Sequence, residues 1–287
     1  MPELPEVEAV ARTVRPLVEH RRIRCVHVFH PIAVKPQSPS LLARVAENRR
    51  ILSVTRRGKY LFLDLDRGSI TLHFKLDGQL VWFANAKELL QRANQAPHQS
   101  GKKPVNNVHV DVAFEFDKGV LGFADGRHFG RVYAYESTDA SPVLKSLGVD
   151  ALSPKFTPSY FTKLLGASRR PIKEFLLDQS RVAGIGNIYS CESLWHARLN
   201  PFRRANSLST TEARRLHKAI VSVLHRALEC CLHPAPDFRD PSWWFQDLER
   251  ILRVYNREGK PCRRGGAAIQ RIAQGGRSTY YCARCQK

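Results

Sequence analysis

The chain opens Met1-Pro2-Glu3-Leu4-Pro5-Glu6-Val7-Glu8, and the second residue is the one whose chemistry is least ordinary. Removal of Met1 turns Pro2 into a free secondary amine beside a carboxylate. An α-amino group titrates near ~8, whereas an ordinary lysine titrates near ~10.4, so the terminus supplies an unprotonated nucleophile without burial. Such an amine attacks an electrophilic carbon and forms an iminium, or Schiff base. The alternative is structural: Pro2 and Pro5 as helix-start residues, with Glu3, Glu6 and Glu8 complementing a helix dipole.

A second constellation lies at the other end. Cys262-Arg263-Arg264-Gly265 precedes Cys282-Ala283-Arg284-Cys285. Four cysteines as C-x2-C-x16-C-x2-C would close a tetrahedral zinc site on two short knuckles. Here Gly265 takes the second ligand position and cannot coordinate. The candidate ligands are Cys262, Cys282 and Cys285. Zinc is then retained with water or a ligand from elsewhere, and bound more weakly than by four cysteines. Otherwise it is lost, and a hairpin is held by packing of Ile269, Ile272, Tyr280 and Tyr281.

A third pattern is Gln179-Ser180-Arg181-Val182-Ala183-Gly184-Ile185-Gly186-Asn187. Gly184 and Gly186 suit tight turns with positive φ, and Asn187 stands where a helix N-cap is expected. Backbone N–H groups at such a helix start make a phosphate site, although a plain helix–loop–helix connection reads the same way.

The elements that must position these groups follow from periodicity. Val7, Val10, Ala11, Val14, Leu17 and Val18 recur at helical spacing and predict a helix over 5–20. Tyr60–Leu65 and Ile70–Phe74 flank Asp66-Arg67-Gly68 and predict a hairpin. Val108, Val110, Val112, Phe114 and Phe116 alternate with His109, Asp111, Ala113 and Glu115, as in one half-buried strand; a second runs from Val120 to Ala124. Segment 86–107 is polar and reads mostly as loop. Helices are predicted over Ser159–Leu165, Pro171–Gln179, Asn187–Ala197 and Thr210–Leu232, the last with Val221, Leu224, Leu228 and Leu232 near one side. The chain therefore divides into a mainly antiparallel β region at 1–137, a linker at 138–155, a helical region at 156–250 and a cysteine-bearing tail at 251–287.

With 287 residues, 43% of them hydrophobic, the chain has enough apolar content for two cores. No apolar run nears the ~20 residues of a membrane span, and the acidic start lacks the features of a secretory signal. Seven cysteines, an odd number, argue for a reducing cytoplasm over a disulfide framework. The formal net charge of +20 repels itself unless a polyanion is a normal partner, and nucleic acid is the polyanion this favours over a membrane surface.

Taken together, these residues resemble the bacterial formamidopyrimidine-DNA glycosylase family (Fpg/MutM, within the Fpg/Nei superfamily). The resemblance covers almost the full chain. It rests on Pro2 to Glu8, Arg56-Arg57-Gly58-Lys59-Tyr60, Asp125-Gly126-Arg127-His128-Phe129-Gly130, Leu177-Asp178-Gln179 through Gly186-Asn187-Ile188-Tyr189, and Gly275-Gly276-Arg277 leading to Cys282 and Cys285. It implies an α+β multidomain fold: an N-terminal antiparallel β-sandwich with flanking helices, a helix–two-turns–helix domain, and a zinc-finger-like β-hairpin. It also implies a monomer of the bacterial cytoplasm and nucleoid that acts on damaged double-stranded DNA, with no membrane partner.

The activity implied is that of a bifunctional glycosylase and abasic-site lyase in base excision repair, acting on oxidised, chiefly purine, bases. Pro2 would attack C1′ and displace the damaged base. Glu3 would act as acid at the sugar, and β,δ-elimination would cut both sides. The resemblance sets Glu6, Lys59 and Arg277 beside Pro2 and Glu3 in the catalytic group. Lys59, His73, Asn187 and Arg277 match the family's phosphate clamp, and Lys173 matches a lysine near the lesion; a solvated surface lysine is its alternative. Leu76, Arg127 and Phe129 match the residues that fill the void left by a flipped base, with Leu76 where methionine is usual. Without the resemblance, Leu76 and Phe129 read as core residues and His73 as a structural strand residue. The implied cofactor is a structural zinc, with no catalytic cofactor.

The chain departs from the pattern at several points. Asn107 replaces a DNA-contacting histidine, and Gly126 and His128 replace a proline and an arginine. The stretch from His233 to Phe245, with Trp243 and Trp244, replaces a Gly/Thr-rich segment that leads into the lesion-holding loop. A reading from another class is a catalytically weak relative that binds abasic or distorted DNA without cutting it.

Overall fold

The computed structural model describes residues 2–93, 108–137, 141–238 and 248–287. Asn107, Trp243 and Trp244 lie outside the described residues. The chain forms two compact units: one of residues 1–2, 6–144 and 232–246, the other of residues 3–5, 145–231 and 247–287.

The first unit is built on two four-stranded antiparallel sheets. Its elements are α1 (Leu4–Val18), β1 (Ile23–Val28), α2 (Pro39–Ala46), β2 (Ile51–Arg57), β3 (Tyr60–Leu65), β4 (Ser69–His73), β5 (Gln79–Phe83), α3 (Ala86–Ala93), β6 (Val110–Phe116), β7 (Val120–Ala124) and β8 (Arg131–Tyr135). The sheets run β1-β6-β7-β5 and β2-β3-β4-β8. Ile23, Val112, Phe114, Leu121 and Phe123 of one sheet share a core with Val54, Leu61, Leu63, Ile70, Leu72 and Val132 of the other, the arrangement of a β-sandwich. Val7, Val10, Ala11, Val14 and Val18 of α1 close that core. The predicted β3–β4 hairpin forms, with Asp64 opposite Ser69 and Tyr60 opposite His73.

Two expectations are corrected in this unit. Segment 86–93 is helix α3, not loop. Asn85 Oδ1 accepts from Glu88 N at 2.9 Å while Glu88 Oε2 accepts from Ala84 N at 2.6 Å, a reciprocal capping arrangement at the helix start. Leu89 of α3 packs with Val81, Phe83, Val110, Ala113 and Val120 on the outer face of the first sheet. β6 is therefore not half-buried: Ala113 on that face is as inaccessible as Val112 and Phe114, and Asp111 is buried as well, against His128.

The second unit contains α4 (Pro142–Ser146, shared at the boundary), β9 (Val149–Asp150), α5 (Pro158–Gly166), α6 (Ile172–Leu177), β10 (Val182–Ala183), α7 (Asn187–His196), α8 (Thr210–Leu232), α9 (Leu248–Ile251), β11 (Gln270–Gln274) and β12 (Arg277–Tyr281). The short strands β9 and β10 pair in parallel, and β11 and β12 form an antiparallel hairpin. Thr157 caps α5 by accepting from Tyr160 N. On α8 the buried stripe is Ala213, Leu216, Ile220, Val223, Leu224 and Ala227, so Val221 lies at its edge. Phe161, Phe175, Leu176, Tyr189 and Leu194 complete the helical core. A separate cluster of Cys191, Trp195, Val254, Cys262, Ile269, Tyr280 and Cys282 anchors the cysteine tail. Ile272 takes no part in that cluster and is 41% exposed, on a strand whose residues 270–273 are all exposed.

Candidate active site

The terminal residues are held by the helix that the Gly184–Asn187 turn begins. Pro2, Glu3 and Glu6 are all buried. Glu3 Oε2 accepts from Gly186 N at 2.8 Å and from Tyr189 N at 3.4 Å, and Oε1 accepts from Ile188 N at 2.9 Å. The first N–H groups of a helix have no intrahelical acceptor, and the positive end of the dipole favours a carboxylate. Glu3 therefore caps α7 from 183 residues away.

This corrects the expectation that Asn187 is the N-cap. Gly186 takes that position without a side-chain bond, and Asn187 is the first helical residue. Three of the N–H groups expected to greet a phosphate, those of Gly186, Ile188 and Tyr189, are occupied by Glu3. Gly186 also has an ordinary extended φ of −124°, so of the two glycines only Gly184, at φ +104°, uses the left-handed region. Gly184 is needed twice over: a Cβ there would lie 2.3 Å from Leu4 Cδ1, and its carbonyl accepts from Leu4 N at 3.1 Å. Gln179 fastens the same loop, donating to Ile185 O at 2.8 Å and accepting from Gly184 N at 2.9 Å.

In the same unit Arg277 opens β12, opposite Gln274, directly after the turn Gly275-Gly276 with φ of +56° and +73°. Its neighbour Ser278 is pinned: the Ser278 carbonyl accepts from Lys173 Nζ at 3.1 Å and from Asn187 Nδ2 at 2.9 Å. Lys173 Nζ also donates to Thr279 Oγ1 at 2.7 Å. Lys173 is fully buried, so the surface-lysine alternative fails. Burial pulls its ammonium below the usual lysine range and the Arg277 charge adds to this, while the Cys191 thiol opposes it. The structure thus brings Lys173, Asn187 and Arg277 together at the hairpin.

In the first unit, Gly58 and Lys59 make the two-residue turn between Arg57 and Tyr60, and Gly58 has φ +58°. Arg56 braces the turn by donating to Gly58 O at 3.0 Å and to Glu8 Oε2 at 2.8 Å. Burial opposes the charge on Glu8, yet Arg56 and Arg12 outweigh it and hold the carboxyl below its usual range. His73 lies across from Tyr60, ring centroids 4.3 Å apart. Its Nδ1 accepts from Lys75 N at 3.0 Å. Burial, then the charges of Lys75 and Lys59, bring its pKa down to about 3. His73 is therefore neutral, with Nε2 carrying the proton and able to donate.

Leu76 and Phe129 are 39% and 49% exposed, which removes the core reading for both. Phe129 sits in a loop shaped by buried Asp125, whose two oxygens accept from Arg127 N at 2.9 Å and Gly130 N at 2.6 Å. Arg127 ion-pairs with Asp77, and its guanidinium lies 5.9 Å from the Phe129 ring. His128 Nδ1 meets buried Asp111 at 2.7 Å. Burial raises the Asp111 carboxyl, with His128 partly offsetting the rise.

Sequence reasoning quoted Asp125 and Gln179 only as parts of motifs, with no role of their own, and missed Glu192. Glu192 on α7 accepts from the N–H groups of Arg253, Val254 and Tyr255 at 2.8–2.9 Å and so ties the tail to the helix. The Asp-Gly turn and the Gln179 loop were visible as motifs. Glu192 had no signal beyond a carboxylate on an apolar helix.

The tail cysteines converge. The Sγ atoms of Cys262, Cys282 and Cys285 all lie within 4.8 Å of one another. Cys262 and Cys285 are 3.8 Å apart, which equals the S···S edge of about 3.8 Å set by tetrahedral Zn–S bonds of about 2.3 Å. Burial opposes ionisation of Cys262, but the N–H groups of Arg264 and Gly265 and the Trp195 indole bring it down to about 7. The donor set fits zinc, and these three cysteines form a structural zinc site.

Comparison with known proteins agrees with this geometry along the whole chain. The family model for the formamidopyrimidine-DNA glycosylase N-terminal domain matches residues 1–132, that for the formamidopyrimidine-DNA glycosylase H2TH domain matches 147–232, and that for the zinc finger found in FPG and IleRS matches 259–287. A formamidopyrimidine-DNA glycosylase of Pelotomaculum thermopropionicum is 38% identical, covering 100% of this chain and 99% of that protein. Among solved structures, Lactococcus lactis Fpg (MutM) bound to DNA containing N7-benzyl-Fapy-dG superposes with TM-score 0.83 at 28% identity, covering both chains fully. MutM from Thermus thermophilus superposes at 0.80 with 35% identity, covering 99% of this chain and 98% of that one.

Proposed function

The chain belongs to the formamidopyrimidine-DNA glycosylase family, DNA glycosylases of base excision repair, and from that premise we propose how its own residues carry out base removal and strand cleavage. After Met1 is removed, the Pro2 nitrogen attacks C1′ of the damaged nucleotide. The C1′ bond to the base breaks and the base leaves. Opening of the sugar ring leaves an iminium on the Pro2 nitrogen. That cation acidifies the adjacent sugar protons, and two eliminations expel the 3′ and then the 5′ phosphate. Nucleophile and acid are supplied by the chain itself.

The observation that carries the reading is the seat of Glu3. Its carboxylate is fixed on three amides at the start of α7, that of the N-cap Gly186 and those of Ile188 and Tyr189, and Leu4 is sunk in the helical core. The residue beside the nucleophile is thereby immobilised by the fold, which is what holding a reacting amine in one geometry requires. Lys59 and Arg277, each on a tight braced turn, act as phosphate-holding groups, and Asn187 and Lys173 act by fixing Ser278 next to Arg277. His73 donates from Nε2 as a neutral group. The exposed pair Leu76 and Phe129, with Arg127, fills the space of an everted nucleotide. Oxidised purines in duplex DNA are the proposed substrates, supported by the names of the relatives, and the bacterial cytoplasm and its nucleoid are the proposed setting. The non-cutting alternative is not favoured, because Pro2, Glu3, Glu6, Lys59 and Arg277 are all present.

The test is a panel of duplexes carrying 8-oxoguanine, a formamidopyrimidine, an oxidised pyrimidine or an abasic site, incubated with Met-processed protein. Excision of the two purine lesions, with nicking that disappears in Pro2→Gly, is the expected result. Binding without cleavage of any duplex would reverse the reading.

A further inference from the structure

The knuckle that should supply a fourth zinc ligand supplies none, and the protein around it is built in a particular way. A Cβ placed on Gly265 would lie 2.6 Å from Cys285 Sγ, so this residue faces the thiol cluster directly. Among the described residues no further cysteine, histidine or carboxylate joins the three sulfurs within 4.8 Å. Beside them lies a cavity of about 440 Å³ lined by Arg198, Arg264, Gly265, Arg284 and Cys285.

Three of those five residues are arginines, and none is acidic. Two of the guanidiniums are held in place. Arg264 stacks 3.9 Å over the Trp195 ring and donates to Trp195 O at 2.9 Å. Arg284 donates to Gly265 O at 3.1 Å. Zinc with three protein ligands keeps an open position that takes water or an exogenous group, and permanently charged arginines beside that position select a negative one.

We propose that the zinc of this chain is held by Cys262, Cys282 and Cys285 alone, and that its fourth corner is an exchangeable small-anion site entered through the Arg198–Arg264–Arg284 cavity. Gly265 does more than remove a ligand: it clears the corner that a cysteine side chain would fill. The inference concerns the metal only and is independent of the chemistry at Pro2.

The experiment uses the full chain with cobalt(II) in place of zinc, titrated with azide while the visible ligand-field bands are recorded. Wild-type protein is expected to show a saturable shift of those bands. Arg198→Gln and Arg284→Gln should each weaken azide several-fold. Gly265→Cys should bind cobalt with a four-sulfur spectrum that azide leaves unchanged. X-ray absorption on zinc-loaded wild-type protein gives an independent readout and does not depend on any variant folding: three sulfurs and one light-atom ligand are expected. Azide-insensitive wild-type bands, four sulfurs at zinc, or a failure of wild-type protein to bind one metal would each overturn the proposal.

Discussion

Replacing Gly184 by alanine tests how the terminus proposed as nucleophile is held. The substitution acts twice. Alanine at φ +104° carries backbone strain of about 1–3 kcal/mol. Its methyl also meets Leu4 Cδ1 at 2.3 Å, far inside contact distance, and forcing such a group into a packed core adds about 1–3 kcal/mol. Leu4→Ala, made alone at a fully buried position, leaves a cavity that costs about 2–5 kcal/mol. In the double variant the methyl introduced by Gly184→Ala no longer meets Leu4 Cδ1 and Cγ, so the overlap shrinks to a 2.8 Å approach to the remaining Cβ of residue 4, and the strain and part of the cavity remain with it. The double variant is therefore predicted to be more stable than the sum of the singles by about 1–3 kcal/mol. Guanidinium unfolding followed by tryptophan fluorescence supplies the four free energies. Borohydride trapping on an abasic duplex, run in parallel, should slow in both single variants, because Leu4 fixes the two residues before it. Additivity within about 0.5 kcal/mol would refute the claim that Gly184 exists to admit Leu4.

Three further outcomes follow from the same structure. The folded pKa of His73, about 3, lies below the unfolded value of about 6.5. Below that upper value the unfolded chain takes up a proton that the folded chain refuses. Stability is thus lost as pH falls from about 6.5 toward 3, by a slope approaching ~1.4 kcal/mol per unit, and His73→Asn should remove this component; equal pH slopes of unfolding in both proteins would contradict it. Lys173→Met, which deletes the bonds to Ser278 and Thr279, should cost about 1–3 kcal/mol in denaturant titrations, whereas exposed Lys145→Met should stay within about 0.5 kcal/mol. Affinity for an abasic-site duplex should fall about a thousandfold between about 50 and 200 mM salt if some six phosphates are neutralised; a flat salt response would remove the role assigned to the charge of +20.

Much of the fold was legible because its signals are local. The β3–β4 hairpin announces itself by two apolar runs around Asp66-Arg67-Gly68, and α8 spans Thr210–Leu232 as its period predicts. The three convergent cysteines were legible from spacing alone. What escaped was set by distant partners. β6 alternates like a half-buried strand, yet Ala113 packs in the cluster that holds Leu89 of α3 and Asp111 is buried against His128, which no local pattern reveals. Segment 86–93 was too polar to read as a helix, and its Asn85–Glu88 cap was overlooked. Asn187 has the chemistry of an N-cap, but the carboxylate of Glu3 fills that role and frees Asn187 to bond Ser278. For Lys173 the residue type alone leaves a solvated surface position open, as is usual for lysine, and what excludes it is a carbonyl and a hydroxyl about a hundred residues away. Leu76 and Phe129 illustrate the reverse case, in which apolar type suggested a core and the loops leave both exposed.

The most direct test of the account is to find the atom that carries the covalent intermediate. Met-processed protein should be incubated with an abasic-site duplex, reduced with borohydride, digested and mapped by tandem mass spectrometry. The account predicts a reduced sugar adduct on the nitrogen of Pro2 within the amino-terminal peptide. An adduct on Lys59 or Lys173 instead, or no adduct under conditions in which the strand is cut, would contradict it.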